Sequence, residues 1–149
     1  MIKVILTEPN KILRTKSAPV SPEKIKTPAF QALISDMLET MKNADGVGLA
    51  ANQVGVTERI IIATIKEPTP LINPEILSHS ILKTKSEEGC LSVPGRWGFV
   101  RRYKTVKIKA LDRNGKEVRM SLKGLPAIVL QHEIDHLDGI LFIDKLIKP

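Results

Sequence analysis

The 149-residue sequence predicts an α+β fold, organised as one domain over residues 1–149, in which short antiparallel β-sheets surround a C-terminal helix. A second, amphipathic helix in the first half of the chain is expected to pack outside the sheets. Three observations predict this fold. They are a helical stripe of apolar residues after Thr27, a β-hairpin around residues 112–115, and a helix-forming segment that follows Pro126.

The N-terminal arm, residues 1–20, has no helical periodicity and is interrupted by prolines, so it is expected to be irregular or extended. A helix then begins at Thr27 and Pro28, because threonine is a good N-cap and proline suits the first helical turn. It should end near Asn43, before the turn-forming pair Asp45-Gly46. The apolar positions of its buried stripe are Phe30, Leu33, Ile34, Met37, Leu38 and Met41.

β-Branched residues mark the strands that follow. The run 59–65 predicts a buried strand, which Pro68 and Pro70 are expected to end. Further short strands are expected at 71–72 and at 81–85.

The turn Asp112-Arg113-Asn114-Gly115 predicts the clearest hairpin in the chain. Apolar residues alternate with basic or polar residues on both sides of it. One face of the hairpin is therefore expected to be buried and the other to be basic and solvated. The apolar positions are Val106, Ile108 and Ala110 before the turn, and Val118, Met120 and Leu122 after it.

The composition argues against several classes of function. Basic residues outnumber acidic ones and give a net charge of +7, but they are scattered, and only 3% of the residues are aromatic. A protein that binds single-stranded nucleic acid needs aromatic stacking platforms, so no direct sequence-specific nucleic-acid partner is expected. The basic surface could still favour an anionic neighbourhood such as the ribosome.

The sequence also predicts a cytoplasmic location. No apolar run approaches the roughly 20 residues of a membrane span, and the N-terminus lacks the long apolar region of a signal peptide, so no membrane partner is expected. Cys90 is the single cysteine of the chain, which excludes an internal disulfide and fits a reducing cytosol.

A segment of small residues, Gly46-Val47-Gly48-Leu49-Ala50-Ala51-Asn52-Gln53, follows the first predicted helix. Its glycines leave the backbone bare, so a ligand or another strand could approach closely. It lacks the full glycine fingerprint and the lysine of a phosphate-binding loop. Local features alone favour a tight turn packed under the helix.

The segment from Gln131 to Gly139 contains the residues best suited to catalysis. His132 and His136 lie four positions apart, which on a helix places both imidazoles on one face, where they can bind one divalent metal ion. Glu133 is then placed to move the proton of a water molecule that the metal activates. The same short motif also occurs where histidines are only packed and hydrogen-bonded, so the assignment depends on the rest of the chain.

Cys90 offers a third ligand. It lies in the turn-rich segment 87–95 and not within an apolar run, which favours a functional role. Together with His132 and His136 it makes a site of one thiolate, two imidazoles and one open position, which is what a catalytic metal requires. A Cys–His nucleophilic pair is the alternative, but it leaves the spacing of the two histidines unexplained.

Three blocks of the sequence together resemble the peptide deformylase family, metalloenzymes that remove the formyl group from the N-terminal methionine of nascent bacterial chains. The blocks are the small-residue segment 46–53, Glu88-Gly89-Cys90-Leu91-Ser92, and Gln131-His132-Glu133-Ile134-Asp135-His136. They occur in the family's order, and the resemblance extends from the N-terminal arm to about Leu146. Fewer residues follow His136 than in most bacterial members, which leaves the subclass open.

The resemblance implies Cys90, His132 and His136 as metal ligands and Glu133 as the general acid/base. It also implies that the Gln53 amide and the Leu91 backbone N–H hold the developing oxyanion. The residues implied to pair with the substrate backbone are Val47, Gly48 and Gly89. Those implied to border the methionine pocket are Val47, Leu91, Arg102, Ile128, Val129 and His132.

The resemblance further implies ferrous iron (Fe2+) as the working metal, with zinc, nickel or cobalt as substitutes, and a formyl-methionyl nascent peptide as the partner. Two other classes remain open. A zinc peptidase with the same histidine motif would take a third ligand downstream, where Asp138 and Asp144 are the candidates. A metal-stabilised binding domain would need a fourth ligand, for which His79 is available.

Overall fold

The computed structural model describes residues 1–148, and its element order confirms the predicted α+β class. The α-helices are α1 (Pro22–Ile25), α2 (Pro28–Asn43) and α3 (Leu125–Leu137). The strands are β1 (Gly48–Ala50), β2 (Ile60–Thr64), β3 (Pro68–His79), β4 (Lys83–Cys90), β5 (Val93–Tyr103), β6 (Thr105–Leu111) and β7 (Glu117–Lys123). Short 3₁₀ helices cover Lys11–Arg14, Ala51–Val54 and Phe142–Lys145.

The strands of the described residues form two antiparallel sheets. The larger sheet has the order β1-β2-β3-β6-β7, and β4 and β5 form a separate hairpin. The predicted β6–β7 hairpin is confirmed, with Val106 opposite Leu122 and Ala110 opposite Val118. β1 is an edge strand of the larger sheet, and β4 presents its outer edge as well.

Helix α2 begins and ends where the sequence predicts. Thr27 is its N-cap, and the Thr27 side chain accepts a hydrogen bond from the Phe30 N–H at 3.3 Å. Pro28 occupies the first turn, and the helix ends at Asn43. The buried residues of α2 include Phe30, Ile34, Met37 and Met41, which confirms the predicted stripe.

Helices α2 and α3 cover opposite faces of the larger sheet. Ile60 and Ile62 of β2 belong to the core cluster of α2, whereas Ile61 belongs to the cluster of α3. β2 is therefore buried on both faces, which explains its continuous apolar sequence. At the end of α3, Gly139 has a φ of 75°, and an added Cβ would lie 2.8 Å from the Arg14 carbonyl carbon, so this position requires glycine.

The strand predicted at 59–65 ends at Thr64, before the prolines as expected, but the short strand predicted at 71–72 is much longer and includes those prolines. Pro68 and Pro70 lie within β3, where they are opposite Thr64 and Ile62 of β2. β6 pairs with β3 only from Ile72 onward. The proline end of β3 thus has a strand neighbour on one side only, and a missing N–H group is tolerated there.

Strand β4 is longer than predicted. The strand expected at 81–85 begins at Lys83 and continues to Cys90, and its partner β5 was not predicted. Glycine and proline within residues 94–98 hide the strand pattern of β5 in the sequence. Among residues 1–148, no helix combines the length and apolar character needed to cross a membrane.

Candidate active site

A cavity of about 530 Å³ opens between β1, the β4–β5 hairpin and helix α3. Of the site residues predicted from the sequence, only Arg102 and His136 are outside its lining. Those that line it are Val47, Gly48, Gln53, Gly89, Cys90, Leu91, Ile128, Val129, His132 and Glu133. The fold thus brings the three sequence blocks together at one place.

Three side chains that can bind a metal meet at this cavity. Cys90 is the last residue of β4, and His132 and His136 lie one turn apart on α3. Their ligand atoms all lie within 4.8 Å of one another, and Cys90 Sγ is 3.2 Å from His136 Nε2. One sulfur and two imidazole nitrogens suit several divalent transition metals, so the residues present fit a single such ion.

The electrostatics of the cluster favour a cation. Burial lowers the pKa of His136 well below its ordinary value, so its imidazole is neutral, as a metal ligand must be. Burial would also lower the pKa of His132, but Glu133, Cys90 and Glu88 outweigh it and raise that pKa to about 10. The same negative surroundings favour the binding of a divalent ion.

Glu133 is buried beside the cluster, and its Oε1 has no hydrogen-bond partner among the described residues. Burial is the main cause that raises the pKa of Glu133 to about 7. A carboxyl group that titrates near neutrality suits proton transfer. Gly48 lies directly against it, since an added Cβ would be 2.9 Å from Glu133 Cγ and Cδ. Glycine at this position therefore leaves the space that the Glu133 side chain occupies.

The side-chain amide of Gln53 is held at both ends. Its Oε1 accepts a hydrogen bond from the Ala50 N–H at 2.9 Å, and its Nε2 donates to Ser92 Oγ at 3.0 Å. The same Nε2 lies 3.7 Å from Cys90 Sγ. These contacts fix a side-chain N–H donor beside the metal-ligating cluster. Leu91, the residue after Cys90, also lines the cavity.

Two strand edges border the cavity. The local prediction of a tight turn at 46–53 is wrong, because most of this segment forms β1 (Gly48–Ala50) and the start of the 3₁₀ helix Ala51–Val54. Gly48 pairs with Ala63 of β2 on one side, and on the other side β1 faces the cavity. Gly89 lies on β4, at the edge of the second sheet. An extended peptide between them would find backbone donors and acceptors on both sides.

The sequence profile of the polypeptide deformylase family matches residues 2–149 of the chain. The chain belongs to this family. A peptide deformylase of Syntrophomonas wolfei is 52% identical over 145 residues, which cover 97% of this chain and 93% of that protein. By homology, the chain is a metal-dependent hydrolase with deformylase function, and a zinc peptidase is not favoured.

Solved deformylase structures share the fold. The crystal structure of peptide deformylase from Thermotoga maritima gives a TM-score of 0.94 at 38% identity and covers 99% of both chains. A Met-Ala-Ser-bound class I type b peptide deformylase from Acinetobacter baumannii gives a TM-score of 0.93 at 36% identity, covering 98% of this chain and 99% of that one.

Arg102, which the deformylase resemblance implies at the methionine pocket, lies in the protein interior. It is 2% exposed and lies outside the cavity lining. Its guanidinium donates hydrogen bonds to two carboxylates, those of Glu88 and Asp135. These ion pairs hold the guanidinium in the interior, and the expected contact of Arg102 with the methionine side chain stays a prediction.

Glu88, to which sequence reasoning gives no role, contacts the cluster. Its Oε1 lies 2.9 Å from His132 Nδ1. Burial would raise the pKa of Glu88, but its hydrogen bonds with Arg102 and His132 lower it to about 2, so it is a carboxylate. A carboxylate that accepts from Nδ1 leaves Nε2 of the ring free to bind a metal. An acid two residues before Cys90 is the sequence signal that could have revealed it.

The residues that the two alternatives require are engaged elsewhere. His79 lies exposed at the end of β3 and is not a member of the cluster. Downstream of α3, Asp138 forms an ion pair with Arg59, and Asp144 forms one with Arg14. Among the described residues, the cluster therefore gains neither a fourth ligand from His79 nor a downstream carboxylate.

Proposed function

We propose that this chain removes the formyl group from the N-terminal formyl-methionine of nascent polypeptides and releases formate through the residues described above. The observation that carries the proposal is the meeting of three metal-ligating side chains with a buried glutamate at one cavity. Cys90, His132 and His136 would hold the metal, and Glu133 would handle the protons. Membership in the deformylase family supports this assignment.

The metal in this proposal is ferrous iron, for which zinc, nickel or cobalt could substitute in the same donor set. When bound, such an ion lowers the pKa of water and polarises the formyl oxygen. Ferrous iron and the thiolate of Cys90 are both oxidisable. Iron-loaded protein should therefore lose activity in air while nickel-loaded protein keeps it. Equal stability of the two forms in air would count against iron.

Glu133 would carry out both proton transfers. Its carboxylate takes a proton from the attacking water and later delivers one to the amine that leaves. The raised pKa of about 7 supports this double role, because such a group can act as a base and then as an acid near neutral pH. The unpartnered Oε1 supports it as well, since no donor within residues 1–148 competes for that oxygen.

Gln53 and Leu91 would stabilise the oxyanion that develops on the formyl group. The Gln53 amide is held in place by Ala50 and Ser92, so its N–H donor is oriented before substrate binds. The Leu91 backbone N–H would be the second donor. Donors oriented in advance cost no reorganisation during the reaction, and loss of one typically costs about 10²–10³ in rate.

The substrate backbone would lie between β1 and β4 as an added strand, paired with Val47, Gly48 and Gly89. Main-chain pairing does not depend on side chains, which suits an enzyme that must accept many nascent sequences. Ile128 and Val129 of α3 would border the methionine side chain, because both line the cavity. The relative from A. baumannii was solved with Met-Ala-Ser bound, which supports a site for a methionyl peptide.

Formate release from formyl-Met-Ala-Ser tests the proposed function, with acetyl-Met-Ala-Ser as the matched substrate. The formyl peptide should react far faster, because the acetyl methyl must fit where the formyl hydrogen sits. Free amino acids should be assayed in the same samples. Comparable rates on both substrates, or peptide-bond cleavage without formate, would contradict the proposal.

We also propose that the chain works in the cytoplasm and meets the ribosome through the solvated face of the β6–β7 hairpin. That face carries Lys107, Lys109 and Lys123, together with Arg119, which forms an ion pair with Glu117 of the same face. Contacts of this kind weaken with salt because they depend on phosphate charge. Purified protein should sediment with ribosomes at low salt and be released at high salt. Failure to sediment at low salt would contradict this contact.

A further inference from the structure

A continuous line of ion pairs runs from His132 to the C-terminal segment. Glu88 accepts a hydrogen bond from Arg102 at each carboxylate oxygen, at 2.9 and 2.8 Å. The third nitrogen of the guanidinium, Nη1, donates to Asp135 at 2.6 Å. Lys145 lies 3.0 Å from the same Asp135 oxygen. Negative and positive groups alternate along this line, which begins at the 2.9 Å contact between His132 Nδ1 and Glu88.

The ion pairs differ in how deeply they are buried. The side chains of Arg102 and Glu88 are 2% and 6% exposed, whereas that of Lys145 is 43% exposed. In the interior, removal of one member of an ion pair is strongly destabilising because it leaves a charge uncompensated. A bidentate pair between a guanidinium and a carboxylate also fixes the plane of the carboxylate. Glu88 can therefore present its Oε1 to His132 in only one orientation.

The line also joins the two elements that carry the metal-ligating residues. Glu88 and Arg102 belong to the β4–β5 hairpin, which carries Cys90 at the end of β4. His132 and Asp135 lie one turn apart on α3. The guanidinium of Arg102 thus binds the hairpin and the helix at once, next to the point where the sulfur and the imidazoles meet.

We infer that Arg102 is a positioning residue for the metal site, with Asp135 and Lys145 as its outer support. It holds Glu88 against His132, and it holds the hairpin against α3 at the separation that the ligands require. This inference rests on the ligand set of the proposed function. It assigns Arg102 no contact with the substrate.

The test measures metal affinity directly. Co²⁺ is titrated into Arg102→Lys, Asp135→Asn and unmodified protein, with a competing chromophoric chelator and with the thiolate-to-cobalt absorption band as readouts. Arg102→Lys keeps the charge but loses the bidentate pair. Its affinity for Co²⁺ should fall by about 10–100-fold, as is typical when a partner of a metal ligand is changed. Asp135→Asn should act in the same direction with a smaller effect.

Arg101→Lys is the matched control, because Arg101 is the exposed neighbour of Arg102 on β5. It should leave affinity and spectrum unchanged. Circular dichroism establishes that each variant is folded. If Arg102→Lys does not fold, the Co²⁺ affinity of Asp135→Asn alone tests the inference. Affinities of Asp135→Asn and Arg102→Lys equal to that of unmodified protein would overturn the inference. Absence of the thiolate band in unmodified protein would instead overturn the ligand set itself.

Discussion

Substitution of Gly48 by alanine should damage catalysis without changing the fold. Gly48 is a strand residue outside the left-handed region, so its backbone conformation is open to alanine. The added methyl group would lie 2.9 Å from Glu133 Cγ and Cδ, and closer still to Oε2. The substitution therefore acts through one contact, and that contact is the proposed general acid/base.

The size of the effect follows from this distance. Ordinary contact with a Cβ begins near 3.4 Å, so the Glu133 side chain has to retreat by about 0.5 Å or more. A misplacement of roughly 1 Å at a reacting group can cost about 10²-fold in rate. We therefore expect kcat of Gly48→Ala to fall between about 10-fold and 10²-fold.

Formate release under metal-saturated conditions measures this loss, with metal content and the thermal unfolding temperature determined on the same samples. Gly46→Ala is the matched control in the same segment. Its added Cβ would meet Leu91 Cδ1 at 3.1 Å, and that methyl group is the flexible end of a side chain. Gly46→Ala should keep kcat near that of unmodified protein. Equal kcat values for Gly48→Ala and Gly46→Ala would refute the reasoning.

Three further changes test the site and its support. Glu133→Ala should keep its metal but lose at least about 10²–10⁴ in kcat, and near-normal turnover of the metal-loaded variant would exclude the assigned role. Cys90→Ser should lower metal content after dialysis, because a hydroxyl is a much poorer ligand than a thiolate, and full metal retention would remove Cys90 from the ligand set. Asp144→Asn tests stability in acid. A hydrogen bond from Arg14 lowers the pKa of Asp144 below its ordinary value. The ion pair therefore stabilises the fold at pH values above the ordinary pKa of an aspartate, and this stabilisation is lost as the pH falls through the lowered pKa. Between pH 7 and pH 3, the unfolding temperature of the variant should therefore drop less than that of the unmodified protein. The difference should correspond to less than about 1 kcal/mol, because the pair is so exposed. Equal drops in the two proteins would contradict this prediction.

The elements that the sequence predicts well are those with local signals. Helix α2 has an N-cap, a proline and an apolar stripe, and the β6–β7 hairpin has a turn and alternation on both sides. Neither depends on distant residues for its recognition. Strand β5 has no such local pattern, because glycine and proline interrupt it and its pairing with β4 decides its structure.

The site residues also divide into those with a local sequence signal and those without one. Cys90, His132 and Glu133 are recognisable from residue type and spacing, because their chemistry is rare in an ordinary core. The ion pairs of Arg102 could not be predicted, since its partners Glu88 and Asp135 come from a neighbouring strand and a distant helix. Burial of a charged side chain depends on which charges the fold brings beside it, and this cannot be seen in one stretch of sequence.

The two strand edges that face each other across the cavity have a consequence for timing. In the proposed binding mode, the substrate must offer unpaired N–H and C=O groups to β1 and β4. A segment that already belongs to a helix or to the interior of a sheet has used those groups. The site would therefore distinguish unfolded N-termini from folded ones, whatever their sequence. Deformylation would then compete with the folding of each nascent chain and would have to be complete before its first residues are packed.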